Sequence, residues 1–560
     1  MPSIKQTTRL ALMLGSTALL AACGGGTPAT PTGNPDASVS TADLSRRIEQ
    51  LASDEFEGRA PSTPGGQAAS QYIADEMKKA GLEPMGDNGT YFQTVELTAM
   101  TVAPSSSMSI ISGDETLVEA DQKTNAVFWT KRLDESVSVA DSELVFVGYG
   151  VNAPEYDWND YAGLDVTGKT VVMLVNDPGF ATKDENLFKG NAMTYYGRWT
   201  YKYEEAARQG AAAVLVIHET EPASYGWDVV SGSWTGEQYD LVRTDGGASR
   251  AALEGWLHYD TAESLFETAG LDLRAQMSAA AQKGFKPVSM GDLKLDATIN
   301  QTVKTTQSPN VAGAIKGTTR PDEYVLYMAH WDHLGMIEDP EVEDRIFNGA
   351  VDNATGTAAI IEVAETMIER GAPERSVIFV AVTAEESGLL GSAYYGEKPL
   401  VPLAQTVGGI NIDAILPVGQ TKDMKVIGFG SSELEDLLKK QLDKRGMYIV
   451  PDQKPEAGYF YRSDHISLAK LGVPMLYADA GNNHVTNGLT YGEEFDAEYT
   501  KDRYHKPADE FDNSWDLSGI AQVTEIMLDM GYDLANSDDW PNWYEGAEFR
   551  GLRDEMRPED

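Results

Sequence analysis

The sequence predicts an α/β fold, with a mostly parallel (mixed) central sheet flanked by helices and a smaller inserted α/β or β-rich domain. Three observations lead there. Two continuous apolar runs, 324–329 and 377–382, are rich in β-branched and aromatic residues, the pattern of strands buried on both faces of a parallel sheet. From Asn310 onward such runs alternate with helical stretches, and parallel neighbours need crossover connections of that kind. A chain of 560 residues is too long for one core, and its character changes near Glu143, where new strands are separated by long loops rich in Trp, Gly and Asp.

The N-terminus reads as a processing signal and not as part of the fold. Lys5 and Arg9 precede an apolar region over 10–22, and Leu20-Ala21-Ala22-Cys23 resembles a bacterial lipoprotein cleavage box whose Cys23, the sole cysteine, takes the lipid. Gly24 after the cysteine resembles the outer-membrane sorting pattern, so the expected location is the outer membrane, facing the periplasm, with membrane contact only through the lipid anchor. The expected division is a signal peptide over 1–22, a Gly-, Pro- and Thr-rich tether over 23–40, an N-terminal part of the main domain over 41–140, an inserted domain over 141–288 and the rest of the main domain over 289–560. Acidic residues outnumber basic ones by 87 to 44, a net charge of −43, which argues against nucleic acid and anionic membrane surfaces as partners.

In chain order, helical spacing predicts helices over 42–53 and 65–80, with Gly81 as the stop. Arg59, in the loop between them, is read as structural. A strand over 91–98 comes next, then strands over 144–150, 170–175 and 212–217 in the inserted region, where His218 and His258 are read as structural or exposed. Further helices are expected over 355–370, 432–445, 466–471 and 518–534, and further strands over 407–412 and 473–477. The long loop over 226–249 is expected to shape access to a site.

The residues just beyond each strand of the main domain carry the chemistry. Ala329 runs into His330-Trp331-Asp332-His333, Val382 is soon followed by Glu385-Glu386, and Ile412 runs into Asp413. Ligands bind beyond the carboxyl ends of strands in open α/β sheets, so three strands deliver metal-capable side chains to one edge. Asp352 sits in a Gly-containing loop just before a helix, and His505 adds a second imidazole. Two histidines and three carboxylates suit two Zn²⁺ ions sharing one ligand, and two such ions generate a bridging hydroxide and polarise a carbonyl. One further carboxylate must shuttle the proton, which the Glu385-Glu386 pair can supply, while Asp332 is placed to accept the other N–H of His330.

The motifs His330-Trp331-Asp332-His333-Leu334-Gly335, Gly349-Ala350-Val351-Asp352-Asn353-Ala354-Thr355-Gly356, Ala384-Glu385-Glu386-Ser387-Gly388-Leu389-Leu390-Gly391-Ser392, Asn411-Ile412-Asp413 and Tyr504-His505 resemble the dinuclear zinc exopeptidases of the aminopeptidase and glutamate carboxypeptidase family. Arg462-Ser463-Asp464-His465 with Gly472-Val473-Pro474 is similar to that family as well, and the inserted region resembles its protease-associated domain. The resemblance implies that His330 and Asp413 bind one zinc, Glu386 and His505 the other, and Asp352 bridges them through a cis Asp352–Asn353 peptide. It implies Glu385 as general base, Asp332 as the partner of His330, and Tyr461 or Tyr504 as donor to the oxyanion; Asp464 and His465 are supportive, and His333 and His484 are left to exposure or loop structure.

The activity expected is removal of N-terminal residues from peptides by a zinc-bridged hydroxide. A carboxypeptidase or dipeptidase on the same site is the alternative, with Arg462 as a candidate for the terminal carboxylate. A non-catalytic receptor on this fold would lack metal ligands, and a glutaminyl-cyclase-like activity fits a complete two-metal set poorly. Nothing in the sequence assigns an oligomeric state.

Overall fold

The computed structural model describes residues 33–233, 236–337 and 339–557, so the expected signal peptide and the lipidation residue Cys23 lie outside the described residues. Among the described residues no helix is long and apolar enough to cross a membrane.

One long strand, Val288–Ile315, joins two sheets. Its second half pairs antiparallel with Phe92–Val102 and with Arg375–Val382. Arg375–Val382 runs parallel to Arg320–His330, which runs parallel to Thr406–Asn411, and that strand to Met475–Ala480. The sheet is therefore mixed at its edges and parallel at its centre, as predicted. The central strands are buried on both faces, which is why they read as unbroken apolar runs, and Tyr327 stacks on Phe379 with ring centroids 5.1 Å apart.

Register sets up the site. His330 lies opposite Val382, and Met328 opposite Asn411, which in turn lies opposite Tyr477. Counting two residues onward puts Asp413 and Asp479 level with His330, on the same face, because side chains alternate with period two. Antiparallel to Met475–Ala480, the strand Asp423–Val426 brings Lys425 opposite Asp479.

Helices cover both faces. Pro64–Ala80 starts where the Thr63 hydroxyl accepts the Gly66 N–H at 3.1 Å and Pro64 fills a position that needs no donor, and it stops at Gly81, whose φ is +96°. Gly356–Arg370 and Ser518–Ala535 pack their apolar sides into the same core.

Three sequence expectations are corrected. The strands Ser107–Ser112, Glu115–Glu119 and Ala126–Trp129 pair within the second sheet, not with the main domain, so the inserted body begins well before residue 141. Their alternating pattern fits either sheet, and only the pairing decides. Residues 34–39 are not a free tether: the Asn34 N–H donates to the Glu369 carbonyl, the Val39 N–H to Glu525, and Ala37 accepts from Arg370. The 226–249 stretch is partly regular, with a helix Trp227–Ser233 and a strand Gln238–Leu241 that pairs with Phe92–Val102.

Arg59, read as structural, is the joint between the first helices and the strand ends. Fully buried, it donates to the carbonyls of Trp331 (2.7 Å), Leu51 (2.9 Å), Gly349 (2.7 Å), Asp352 (3.4 Å) and Asn348. Burial pushes its guanidinium down to about 10, and the nearby Asp352 and Asp509 oppose that shift. Replacing Arg59 by Met leaves most of these buried carbonyls without a donor, the Gly349 carbonyl keeping the Ala354 N–H at 3.2 Å, at a cost of about 3 kcal/mol. The expected result is a calorimetric midpoint of the main domain lower by roughly 4 °C; an unchanged midpoint would show that the carbonyls are held by other means.

Candidate metal centre

Each side chain of the cluster arrives on its own element. His330 ends the strand Arg320–His330, and Glu385 and Glu386 come after Arg375–Val382, past a left-handed turn at Ala384 (φ 54°). Asp413 lies two residues past Thr406–Asn411, Asp352 lies in the loop before Gly356–Arg370, and His505 comes after the helix Leu489–Asp502. The Asp352–Asn353 peptide is cis.

Asp352 stands at the centre. Its Oδ1 is 3.2 Å from His330 Nε2, which is itself 3.2 Å from Asp413 Oδ1. Its Oδ2 is 3.2 Å from His505 Nε2, which is itself 3.2 Å from Glu386 Oε2. One carboxylate thus faces two separate imidazole–acid pairs with one oxygen each. The donor set, nitrogen and oxygen converging from two sides on a shared carboxylate, fits two zinc ions. Ligand atoms within 4.8 Å of one another are also offered by His330, Glu385 and Asp413 together, and by His333, Asp352 and Glu386 together.

Hydrogen bonds aim these groups. The Asn411 amide donates to Ser463 Oγ at 2.8 Å, and Ser463 donates to Asp413 Oδ2 at 2.5 Å, which turns Oδ1 toward His330. Asp509 accepts the N–H groups of Val351 and Asp352, each at 3.1 Å, and its carbonyl accepts that of Ala350 at 2.9 Å, so one buried residue clamps the loop. The Asn353 side chain donates to the Ile412 carbonyl at 3.0 Å and accepts from Ala414 at 3.0 Å, tying the Asp352 loop to the Asp413 segment. Gly349 has φ +53°, and a Cβ there would fall 2.2 Å from the Asp352 carbonyl oxygen and 2.6 Å from the His333 ring.

Packing so many acids together sets their protonation. Burial raises Asp352, but hydrogen bonds from His330 and His505 outweigh it and hold the carboxyl well below the usual range. Burial likewise opposes ionisation of Glu386, which the charges of His505 and His333 nonetheless bring down to about 2. Glu385 is pushed well above the ordinary carboxyl range by burial, with Glu386 adding to the shift and His330 opposing it. Burial works to lower His330, yet Asp413 and Glu385 hold it well above the usual imidazole range.

Three expectations change. The Nδ1 of His330 faces the Asp332 main-chain carbonyl at 3.1 Å and the Asp332 carboxylate only at 3.9 Å, because a two-residue turn brings the carbonyl closer. That carboxylate instead accepts the Glu385 N–H at 3.1 Å, and burial pushes it up to about 6. Tyr461 points away from the cluster and donates to Glu548 at 2.9 Å, within an apolar patch that includes Trp543 and Phe549. His333 is buried, with its Nδ1 2.7 Å from Glu386 Oε1; Glu386 is thereby left with Oε2 for His505. The spacing of His333 three residues after His330 is the only sequence signal for that role. The other expected positions stand closer to what was read: Tyr504 stacks on His505 with centroids 3.9 Å apart, and His484 accepts two N–H groups of its own loop. Buried Asp464 and His465 offer no atom to either imidazole–acid pair.

Two cavities meet at the cluster. A cavity of about 200 Å³ touches His330, Glu385 and Asp413 and carries Lys425, Asp452, Asp479 and Asp496 in its wall. A groove of about 480 Å³ touches Glu385, Glu386 and His505 and is walled by Arg198 and Tyr195 from the inserted body. Arg462 borders both, its guanidinium over the rings of Tyr225 (5.7 Å) and Tyr459 (5.5 Å). Arg198 had no sequence signal, yet it is 8% exposed, its Nε has no hydrogen-bond partner, and burial together with Arg462 lowers it to about 9.

Residues 310–531 match the family model described as Peptidase family M28. The aminopeptidase NAALADL1 of Mus musculus is 34% identical over 126 residues, 21% of this chain and 15% of that protein, and a glutamate carboxypeptidase 2 homolog of Caenorhabditis briggsae is 32% identical over 128 residues, 22% of this chain and 15% of that protein. The chain thus aligns with about a seventh of the length of these curated relatives. The solved aminopeptidase from Aneurinibacillus sp. strain AM-1 shares the fold, with a TM-score of 0.50 and 21% identity over 90% of this chain and 95% of that one. The residues over which the chain is similar to peptidase family M28, 310–531, carry every side chain of the two imidazole–acid pairs and the carboxylate between them.

Proposed function

We propose that this metallopeptidase is an aminopeptidase, a hydrolase that removes single residues from the N-terminus of short peptides. The observation that carries this reading is the asymmetry of the two cavities. The smaller, about 200 Å³, is lined by six carboxylates against Lys425, Lys454 and Arg462, an excess of acid that favours the end of a peptide that bears an ammonium. The larger takes the remainder of the chain and presents Arg198, a cation without a carboxylate partner among the described residues.

His330 and Asp413 would hold one zinc, Glu386 and His505 the other, with Asp352 between them. When bound, two zinc ions supply an acidified water and polarise the scissile carbonyl. The rest falls to the chain. Glu385 takes the proton from the attacking water and returns it to the leaving amine. Its main-chain N–H is held by Asp332, so the base is placed by the strand that also delivers His330. Tyr504, stacked on His505, borders both cavities and is the remaining candidate donor to the oxyanion.

A second reading draws on Arg198 and Arg462. Guanidiniums without carboxylates beside a hydrolytic centre suit a substrate carboxylate one residue from the scissile bond, as a carboxypeptidase or a dipeptidase needs.

Three outcomes test these assignments. Free-amine aminoacyl anilides are expected to be cleaved, their N-acetylated counterparts spared, and chelation to abolish turnover; cleavage confined to C-terminal reporter peptides would reverse the direction of attack. Glu385→Ala should keep two zinc ions by elemental analysis while kcat falls by about 10²–10⁴, and loss of one ion would make Glu385 a ligand. Asp352→Ala should lose both ions together, and one tightly retained zinc would sink the bridging role.

A further inference from the structure

Asp479 extends the row of site residues by one strand. Parallel register puts it level with Asp413 and His330, so neighbouring strands, spaced by roughly 4.8 Å, carry His330, Asp413 and Asp479 side by side at the carboxyl edge. All three border the 200 Å³ cavity. Asp479 is nevertheless no part of the imidazole–acid pairs. It is 9% exposed, its Oδ1 accepts only the N–H of Ala480 at 2.6 Å, and its Oδ2 has no hydrogen-bond partner among the described residues. A carboxylate nine-tenths buried whose free oxygen opens only onto a cavity is placed to accept from a ligand donor there.

Lys425 stands opposite Asp479 on the adjoining strand but forms no ion pair among the described residues. Its charge is shared with Asp452 as well as Asp479, and Asp496 faces Asp479 too. Lys454 and Arg462 line the same cavity, yet neither they nor Lys425 form an ion pair with Asp479 among the described residues, so its free oxygen is left to a ligand. Burial pushes Asp479 up to about 7, with Asp496 and Asp413 adding to the shift and Lys425 opposing it, so an incoming cation would stabilise its ionised form.

Reach then separates two roles. The α-ammonium of a substrate is fixed within two bonds of the scissile carbonyl and stays beside Glu385 and Asp413. A group one strand further along meets only the end of a long side chain. We propose that this cavity holds the side chain on the acyl side of the scissile bond and selects a basic one, with Asp479 accepting from the ammonium of lysine or the guanidinium of arginine. The inference rests on the aminopeptidase reading for which residue enters.

The test compares kcat/KM of the zinc-loaded full chain on lysyl, arginyl, norleucyl and glutamyl anilides, norleucine matching lysine in length without its charge. Lysyl and arginyl substrates are expected to exceed norleucyl by about tenfold or more. Asp479→Asn should bring the lysyl-to-norleucyl ratio close to one, and Lys425→Met should raise it by removing a competing cation. A wild-type preference for norleucine, a ratio that Asp479→Asn leaves unchanged, or a preference for glutamate through Lys425 would each overturn the proposal. Calorimetric titration of free L-lysine against L-norleucine separates the two readings. Tighter lysine binding that Asp479→Asn abolishes upholds the pocket even if no free-amine anilide is cleaved, which would fault the aminopeptidase reading alone; equal binding of both overturns the pocket itself.

Discussion

The constraint on which this structure turns is the concentration of carboxylates at one edge of a parallel sheet. Asp332, Asp352, Glu385, Glu386 and Asp413 converge beyond four chain segments, and all are pulled from water. Such charges are tolerated in a protein interior only when paired or ligating metal. The two imidazoles that approach Asp352 from opposite sides meet part of the demand, and the opposed shifts at Glu385 and Glu386 show that it is not met in full. Two divalent cations would resolve that conflict, so the electrostatics of the chain and the chemistry of its donor set form a single argument.

Holding the acids there requires cations and amides that never touch a substrate. Arg59 reaches from the first helical segment to carbonyls on both sides of the Asp352 loop, Asp509 clamps the same loop through its N–H groups, and the Asn411–Ser463 relay turns Asp413. Each spends its hydrogen-bonding capacity on backbone or on one carboxylate, so the cluster is set by groups that lie outside it. This is the division expected of preorganised sites, where the supporting contacts fix the rotamers of the reacting ones.

How far each part was legible in the sequence depends on what determines it. The strands that carry the site read clearly because burial on both faces forces unbroken apolar runs, and the residues just past them therefore stood out as His330, Glu385, Glu386 and Asp413. The roles of His333 and Asp332 did not, since they depend on which atom of a short turn lies nearer, the Asp332 carbonyl at 3.1 Å or its carboxylate at 3.9 Å. Tyr461 was misread because a phenol near a site in sequence can turn to another acid, here Glu548. Arg198 left no trace at all: its significance is the missing partner, and a missing partner is a property of three-dimensional packing. The same holds for the strands between residues 107 and 129, whose alternation suits either sheet until pairing assigns them to the second.

The overall charge of −43 describes solubility and says little about the substrate, whereas the distribution of charge around the cluster is informative. On the side of Asp413 the wall runs through Asp479 and Asp496 with Lys425 between acids; on the side of Glu386 it runs through Arg198. A peptide is itself polar in this sense, with an ammonium at one end and a carboxylate at the other. On the aminopeptidase reading, two cavities that differ in their balance of charge orient that polarity before any side chain is read. The Arg198 wall comes from the inserted body and the acidic wall from the main sheet, so on the aminopeptidase reading proposed above the direction of attack draws on both bodies. The inserted body thus lines the larger groove beside the cluster, and the long strand Val288–Ile315 joins the two sheets that carry the two walls.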